Sequence, residues 1–250
     1  LDAVSIAAAL IHDVVEDNDE HSLERIKSEF GPKIATIVDG LTKISKLNSQ
    51  GYSDVSIQAE NYRKMLLTLN EDVRVIIIKI ADRLHNMQTL SSMPYEKQIQ
   101  KASETLYIYA PLAHRIGLYN IKTELEDLGL KYTDPENYND ISKKLIESKK
   151  DQDEYIEKFN SIINSTLTKE KLKYKIKGRT KSIFSIKNKM TRQGISFDEV
   201  YDKFAVRIIY KSKPEKEKFI AWKIYSIVTD NFTPNPTRLR DWISAPKSTG

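Results

Sequence analysis

The sequence predicts an α+β chain, an all-helical first part followed by a smaller mixed α/β part. Three observations predict it. From residue 3 to residue 169 apolar residues recur at helical spacing and no clear strand interrupts them. From Lys171 to Lys177 the pattern becomes a strict Lys-Leu-Lys-Tyr-Lys-Ile-Lys alternation, the period of a half-buried strand. A second strand pattern, Phe204 to Tyr210, follows after an intervening helix. The division expected is a first domain at 1–130, a helical linker at 131–165 and a second domain at 166–250.

Each element has its own signal. Residues 3–17 read as one helix. Ser22 is an N-cap for Leu23 to Phe30, which Gly31-Pro32 ends. Pro32 opens a third helix through Ile34, Ile37, Val38 and Leu41. Lys46 to Asp54 is polar and reads as a loop, and Gln58 to Leu69 is helical. Glu71 to Met87 is rich in β-branched residues, which favour strand, but its length and the Asp82/Asn86 spacing favour helix. Lys97 to Ile116 is helical with a kink or break at Pro111, and Ile121 to Leu130 is another helix. Pro135 to Lys169 is a long charged helical stretch. In the second part Gly178 ends the first strand, Ser182 caps a helix that Gly194 closes, and Phe219 to Val228 is helical. Residue 1 falls inside a helical pattern and nothing closes the last element, so the sequence reads as a fragment.

Composition narrows the class. Of 250 residues, 40% are apolar and 30% charged, with no cysteine and a net charge of +5. Thiol chemistry and disulfides are therefore excluded. No apolar run approaches a membrane span and no signal-peptide pattern is present, so the expected setting is the cytoplasm, with no membrane partner. The charge is unevenly distributed: residues 1–30 carry eight acidic and two basic side chains, and residues 169–192 carry ten basic and one acidic. That suits a cation site at one end and a phosphate site at the other.

Two stretches carry the first chemistry. In Ala9-Leu10-Ile11-His12-Asp13-Val14-Val15-Glu16-Asp17, residues four apart share a helix face, so His12 stands beside Glu16 and Asp13 beside Asp17. Four ionisable groups in an apolar helix call for a cation or a substrate, and imidazole with carboxylate suits Mn, Fe or Zn rather than Ca. A solvated acidic face is the plainer alternative. A second apolar run, Ile77 to Met87, again holds one carboxylate, Asp82, with Asn86 four residues later on the same side.

The second chemistry is basic. Gly178-Arg179-Thr180-Lys181-Ser182 lies between strand and helix, where glycine permits close approach and a helix N-terminus favours anions. Ser185, Lys189 and Arg192 continue one helix face. It is not a P-loop, and alone it fits a solvated basic surface equally well. In Arg238-Leu239-Arg240-Asp241-Trp242-Ile243 one carboxylate follows two arginines, an arrangement able to hold Mg²⁺ beside phosphates or simply to form a surface salt bridge. Aromatics are not interleaved as in a single-strand nucleic-acid binder.

These motifs together resemble one family. Ile11 to Asp17, Val38 to Lys43, Lys79 to Met87, Ala110 to Gly117, Gly178 to Ile186 and Arg238 to Lys247 are similar, in collinear order, to the long RelA/SpoT homologues, the bifunctional Rel stringent-response enzymes. The resemblance implies two domains. The first is an HD hydrolase that removes the 3′-pyrophosphate of ppGpp or pppGpp with Mn²⁺. His12, Asp13 and Asp82 would be metal ligands there, Glu16 and Asp17 would orient or deprotonate water, and Asn86 and Thr89 would contact the nucleotide. The family's first metal-binding histidine matches nothing from Leu1 onward, and His21, His85 and His114 do not replace it. The second is a truncated, nucleotidyltransferase-like synthetase that moves pyrophosphate from ATP to the 3′-hydroxyl of GDP or GTP. Arg179, Lys181, Ser185 and Lys189 would bind ATP, Asp241 would hold Mg²⁺ and help activate the hydroxyl, and Arg240 and Lys247 would contact nucleotide. Arg240 stands where the familiar pattern has lysine, so the charge is kept. The family's stacking tyrosine and second catalytic glutamate lie beyond Gly250, as do the regulatory domains that meet ribosome and tRNA. A catalytically silent nucleotide-binding module, and an HD phosphohydrolase for another nucleotide, are the competing readings.

Overall fold

A computed structural model describes residues 2–17, 22–48 and 72–246, and the side chains of 16, 17 and 45–48 fall outside that description. So do the expected helix Gln58 to Leu69 and the side chain of Lys247. The chain divides into two compact units, residues 1–138 and 139–250.

The first unit is helical. Helix α1 (Ala3–Ile11) is capped by Asp2, whose carboxylate accepts from the Ser5 N–H at 2.9 Å. The single helix expected over 3–17 is broken: His12 and Asp13 form a turn, and α2 (Val14–Asp17) resumes after it. The local cause is the His12 ring, whose Nδ1 lies 2.8 Å from the Ala9 carbonyl. In a continuous helix the Asp13 N–H would take that carbonyl. Helix α3 (Leu23–Phe30) starts at Ser22 and stops at Gly31, where φ is +88°. Helix α4 (Pro32–Asn48) runs three residues, Lys46 to Asn48, into the stretch expected to be a loop.

Helix α5 (Val73–Gln88) resolves the conflict between propensity and spacing in favour of helix. Asp72 caps it, and Val75, Ile76, Ile78, Ile80 and Met87 are buried. With so much of its surface covered, packing outweighs the β-branched preference for strand. The stripe of α4 (Ile37, Val38, Leu41, Ile44) is fully buried in the same core.

Helix α6 (Tyr95–Glu104) passes through a π turn, Thr105–Tyr109, into α7 (Ala110–Arg115). This is the break expected at Pro111. Proline has no N–H and its ring crowds the carbonyl four residues back, so the preceding turn widens and the Ala110 N–H reaches the Thr105 carbonyl. Helix α8 (Tyr119–Thr133) packs on this turn. A Cβ on Gly129 would lie 2.6 Å from Leu106 Cγ, closer than carbon atoms approach. Gly129→Ala should therefore destabilise the protein by about 1 kcal/mol, the crowding of about 1–3 kcal/mol exceeding alanine's helix advantage of about 1 kcal/mol. Denaturant unfolding checks this, and a gain in stability would mean that Leu106 yields freely.

The second unit begins within α9 (Pro135–Glu147), continues through α10 (Lys149–Lys169), and thus divides the long stretch at Ser148. Strand β1 (Tyr174–Thr180), helix α11 (Ile183–Gln193), strand β2 (Phe204–Tyr210) and helix α12 (Glu217–Asn231) follow. The strands pair antiparallel, from Tyr174 opposite Tyr210 to Thr180 opposite Phe204. Phe159, Ile163 and Leu167 of α10 and Ile224 and Ile227 of α12 bury the inner sheet face, which presents Tyr174, Ile176, Val206 and Ile208. Strand β1 is shifted from the expected Lys171–Lys177. Lys171, at φ +53°, is consumed in the turn that closes α10, and Gly178 continues the strand opposite Val206 instead of ending it. A Cβ at this position would stand 3.4 Å from Ile156 Cδ1 of α10, an ordinary contact.

Candidate functional site

In the first unit the site is made where α1 and α5 run side by side. Arg74 at the start of α5 reaches Asp2 at 3.1 Å, and further along both helices His12 Nε2 lies 3.9 Å from Asp82. The break at His12–Asp13 aims both side chains at this seam, with Nε2 2.9 Å from the Asp13 carboxylate. Asp82 is fixed from within α5: Asn86 donates to its Oδ1 at 2.9 Å, and the buried Lys79 ammonium stands 3.5 Å from Oδ2. The structure brings together His12, Asp13, Asp82 and Asn86, which the sequence singled out, and adds Lys79, which it did not. Its place one turn before Asp82 was the available signal.

The proton on His12 Nδ1 follows from geometry. A carbonyl oxygen only accepts, so the nitrogen at Ala9 carries the proton. Nε2 is buried and makes no hydrogen bond among the described residues. In the neutral ring, its lone pair then faces carboxylate oxygen, a contact that a cation relieves. The donor set of one imidazole and two carboxylates fits a divalent ion of the Mn, Fe or Zn kind. Among the described residues no group of three or more His, Asp or Glu side chains is placed to hold a metal ion, so the fit is one of donor type. The side chains of Glu16 and Asp17 lie outside the description, so their expected stacking on His12 and Asp13 does too. Thr89 donates its hydroxyl to the His85 carbonyl at 3.1 Å and closes α5. His114 packs edge-on against Tyr119.

In the second unit the basic cluster organises around a residue the sequence reading passed over. Lys181 Nζ lies 2.7 Å from Asp202 Oδ2, and Lys189 Nζ pairs with the other oxygen. Burial pushes the Asp202 carboxyl up, but hydrogen bonds and charge from the two lysines outweigh it and hold the group down at about 2. The pairing therefore stabilises the fold fully above the ordinary carboxyl value, and this contribution is lost as pH falls toward 2. Ser182 caps α11 through the Ser185 N–H at 3.3 Å, and the two hydroxyls bond at 2.8 Å. Arg179 is exposed on β1 opposite Ala205. These groups flank a helix N-terminus, which suits a polyphosphate.

Asp241 is arranged differently. Its Oδ1 accepts from the Ile243 and Ser244 N–H groups at 2.9 and 2.8 Å. The Ser244 hydrogen bonds hold its carboxyl below the usual range, and the charge of Lys218 adds to them. These interactions turn it into its own loop, while the carboxylate on the lysine pair is Asp202. Arg240 is exposed, and Arg238 stacks over the Tyr201 ring at 4.4 Å.

Comparison with known proteins agrees with both halves. A family model described as HD domain matches residues 1–119, and one described as region found in RelA / SpoT proteins matches residues 178–250. An HD domain of this hydrolase kind implies a divalent metal. The chain is 42% identical over 247 residues to a probable guanosine-3′,5′-bis(diphosphate) 3′-pyrophosphohydrolase of Synechocystis sp., covering 98% of this chain and 31% of that one. It is 42% identical over 248 residues to a GTP pyrophosphokinase of Myxococcus xanthus, covering 99% and 32%. A guanosine-3′,5′-bis(diphosphate) 3′-pyrophosphohydrolase of Vibrio cholerae is 38% identical over 250 residues, covering 100% and 34%. The chain thus spans about a third of the length of these relatives. Among the described residues no helix is long and apolar enough to cross a membrane.

Proposed function

The chain belongs to the RelA/SpoT family, and on that premise we propose that it carries the two opposed activities of a bifunctional stringent-response enzyme. One is hydrolysis of the 3′-pyrophosphate of ppGpp or pppGpp, assigned to residues 1–130. The other is pyrophosphate transfer from ATP to the 3′-hydroxyl of GDP or GTP, assigned to residues 166–250, with 131–165 between them. The observation that carries the first is the buried His12 Nε2, without a hydrogen bond among the described residues, between Asp13 and Asp82.

In hydrolysis, water adds to the phosphorus on the 3′-oxygen, the bond between that oxygen and phosphorus breaks, and GDP or GTP leaves with a 3′-hydroxyl. His12, Asp13 and Asp82 would hold Mn²⁺. When bound, the ion supplies Lewis-acid polarisation and a more acidic attacking water. The Ala9 carbonyl keeps the His12 proton on Nδ1, leaving the Nε2 lone pair to face the ion. Glu16 and Asp17 are assigned the water's proton, and Asn86 and Thr89 the nucleotide. In synthesis, the 3′-hydroxyl attacks the β-phosphorus of ATP and AMP leaves. Arg179, Lys181, Ser185 and Lys189 would hold the triphosphate, and Arg240 and Lys247 the nucleotides. Mg²⁺ is assigned to Asp202, beside the lysines, with Asp241 shaping its loop. The cytoplasm is the proposed setting, and ribosome and tRNA the proposed partners of the longer protein.

The test is Mn²⁺-dependent pyrophosphate release from ppGpp by the full-length protein, with Glu16→Ala/Asp17→Ala as control. Release in the wild type and its loss in the control are expected. A wild type that binds Mn²⁺ yet releases nothing, with synthesis intact, would favour the silent-module reading of the first unit.

A further inference from the structure

The residue that follows Asp82 points away from the site into the protein. Arg83 is buried, with its side chain 7% exposed, and every described partner comes from one short segment, residues 101–109. Its Nη2 donates to Glu104 at 2.9 Å, its Nη1 to the Lys101 carbonyl at 3.4 Å, and its guanidinium lies 4.1 Å above the Tyr109 ring. Glu104 is itself 1% exposed, and its second oxygen has no hydrogen-bond partner among the described residues.

Such a pair is a weak source of stability. Removing two charges from water costs about what their attraction returns, and apolar residues of the same size commonly do as well. What the pair supplies is direction. A guanidinium is a rigid planar fork, and here it meets a carboxylate, a carbonyl and a ring face at once. Together these fix the rotation of α5 about its own axis.

The π turn makes this clamp possible. Glu104 and Tyr109 are five residues apart, and on an α-helix they would point about 140° away from each other. In a turn closed by a bond from the Ala110 N–H to the Thr105 carbonyl, residues five apart come onto one side. Both then face Arg83. Leu106, on the same turn, seats against Gly129 of α8, which fixes the turn in its place.

We propose that Arg83, clamped by Glu104 and Tyr109 of the π turn, is a positioning residue that sets the azimuth of α5 and thereby holds Asp82 at the distance from His12 that a divalent ion needs. This rests on the hydrolase reading above. A metal site tolerates little slack: a helix rotation of about 20° moves the tip of a side chain by about 2 Å, more than half the His12–Asp82 separation of 3.9 Å.

The experiment replaces the pair without leaving a lone buried charge, as Arg83→Met/Glu104→Leu in the full-length protein, alongside Arg83→Lys, which keeps the charge but loses the fork. Mn²⁺ affinity is read by electron paramagnetic resonance, hydrolysis of ppGpp is titrated with Mn²⁺, denaturant unfolding followed by circular dichroism reports an intact first unit, and pyrophosphate transfer from ATP reports an intact second unit. Mn²⁺ binding should weaken by on the order of 10-fold in both variants, the range seen when a group that orients a metal ligand is lost. Hydrolysis by Arg83→Lys should recover at high Mn²⁺, and transfer should be unchanged. Wild-type Mn²⁺ affinity in a folded variant lacking the fork would overturn the proposal. If the double variant fails to fold, Arg83→Lys decides by the same reading. A wild type that binds Mn²⁺ without hydrolysing ppGpp would sink the hydrolase reading, while the change in Mn²⁺ affinity would still judge Arg83.

Discussion

Asp82→Ala should abolish pyrophosphate release from ppGpp, by more than about 100-fold, and leave pyrophosphate transfer from ATP within a factor of about two. The size follows from position. Loss of a group that merely orients a ligand costs about 10–100-fold, and Asp82 is one of only three described donors at the seam of α1 and α5. The same substitution strands Lys79, whose ammonium is nearly buried and for which Asp82 is the described counter-charge. It also frees the Asn86 amide that donates to Asp82. Asp82→Asn separates these effects. It keeps a hydrogen-bond acceptor for Asn86 and removes only the charge, so it should lose metal binding with less loss of stability. Transfer from ATP is the control because the residues proposed for it lie in the other unit, which has its own core. Loss of both activities in a variant with normal unfolding would defeat the assignment of one reaction to each unit.

What could be read from the sequence, and what could not, divides by how local the cause is. The caps at Ser22 and Ser182, and the stops at Gly31 and Gly194, are set by residues within a turn of the boundary and were legible. Helix α5 was legible despite its β-branched run because Asp82 and Asn86 sit four apart, and they do bond. The break at His12–Asp13 was not. The residues around it are Ala, Leu, Ile and Val, with nothing that stops a helix, and the interruption comes from a ring nitrogen turning back to the Ala9 carbonyl while Nε2 faces another helix. Strand β1 was read three residues early because the lysine alternation begins before the chain has left the turn after α10. The Arg83–Glu104 pair spans 21 residues and depends on a π turn, whose only local cue was Pro111.

Asp202→Asn should abolish pyrophosphate transfer from ATP, again by about 100-fold or more, while Asp241→Asn should cost less than about 10-fold; both should leave hydrolysis of ppGpp intact. The two carboxylates sit in different company. Asp202 neutralises Lys181, just before α11, and Lys189, within that helix, so it shares the space that triphosphate oxygens would enter on the proposed reading. On that reading it would stand in for the phosphate when no nucleotide is bound. With Mg²⁺ and ATP present, it would turn to the ion and release Lys181 and Lys189 to the phosphates. Asparagine keeps the shape and loses the charge needed for that exchange. Asp241 instead accepts two backbone N–H groups with one oxygen, which asparagine does equally well. Asp202 escaped sequence reasoning because it lies 21 and 13 residues from its lysines, in Val-Tyr-Asp-Lys-Phe, with no motif around it. The antiparallel register brings them together: Thr180 pairs with Phe204 and the Lys181 N–H with the Lys203 carbonyl, so the residue before Lys203 meets the first lysine of the basic turn. The measurement is the rate of AMP formation at saturating ATP and GDP. Should Asp241→Asn be the dead variant and Asp202→Asn the active one, the metal-holding role would belong to Asp241, and Asp202 would be left as a counter-ion that tethers two lysines.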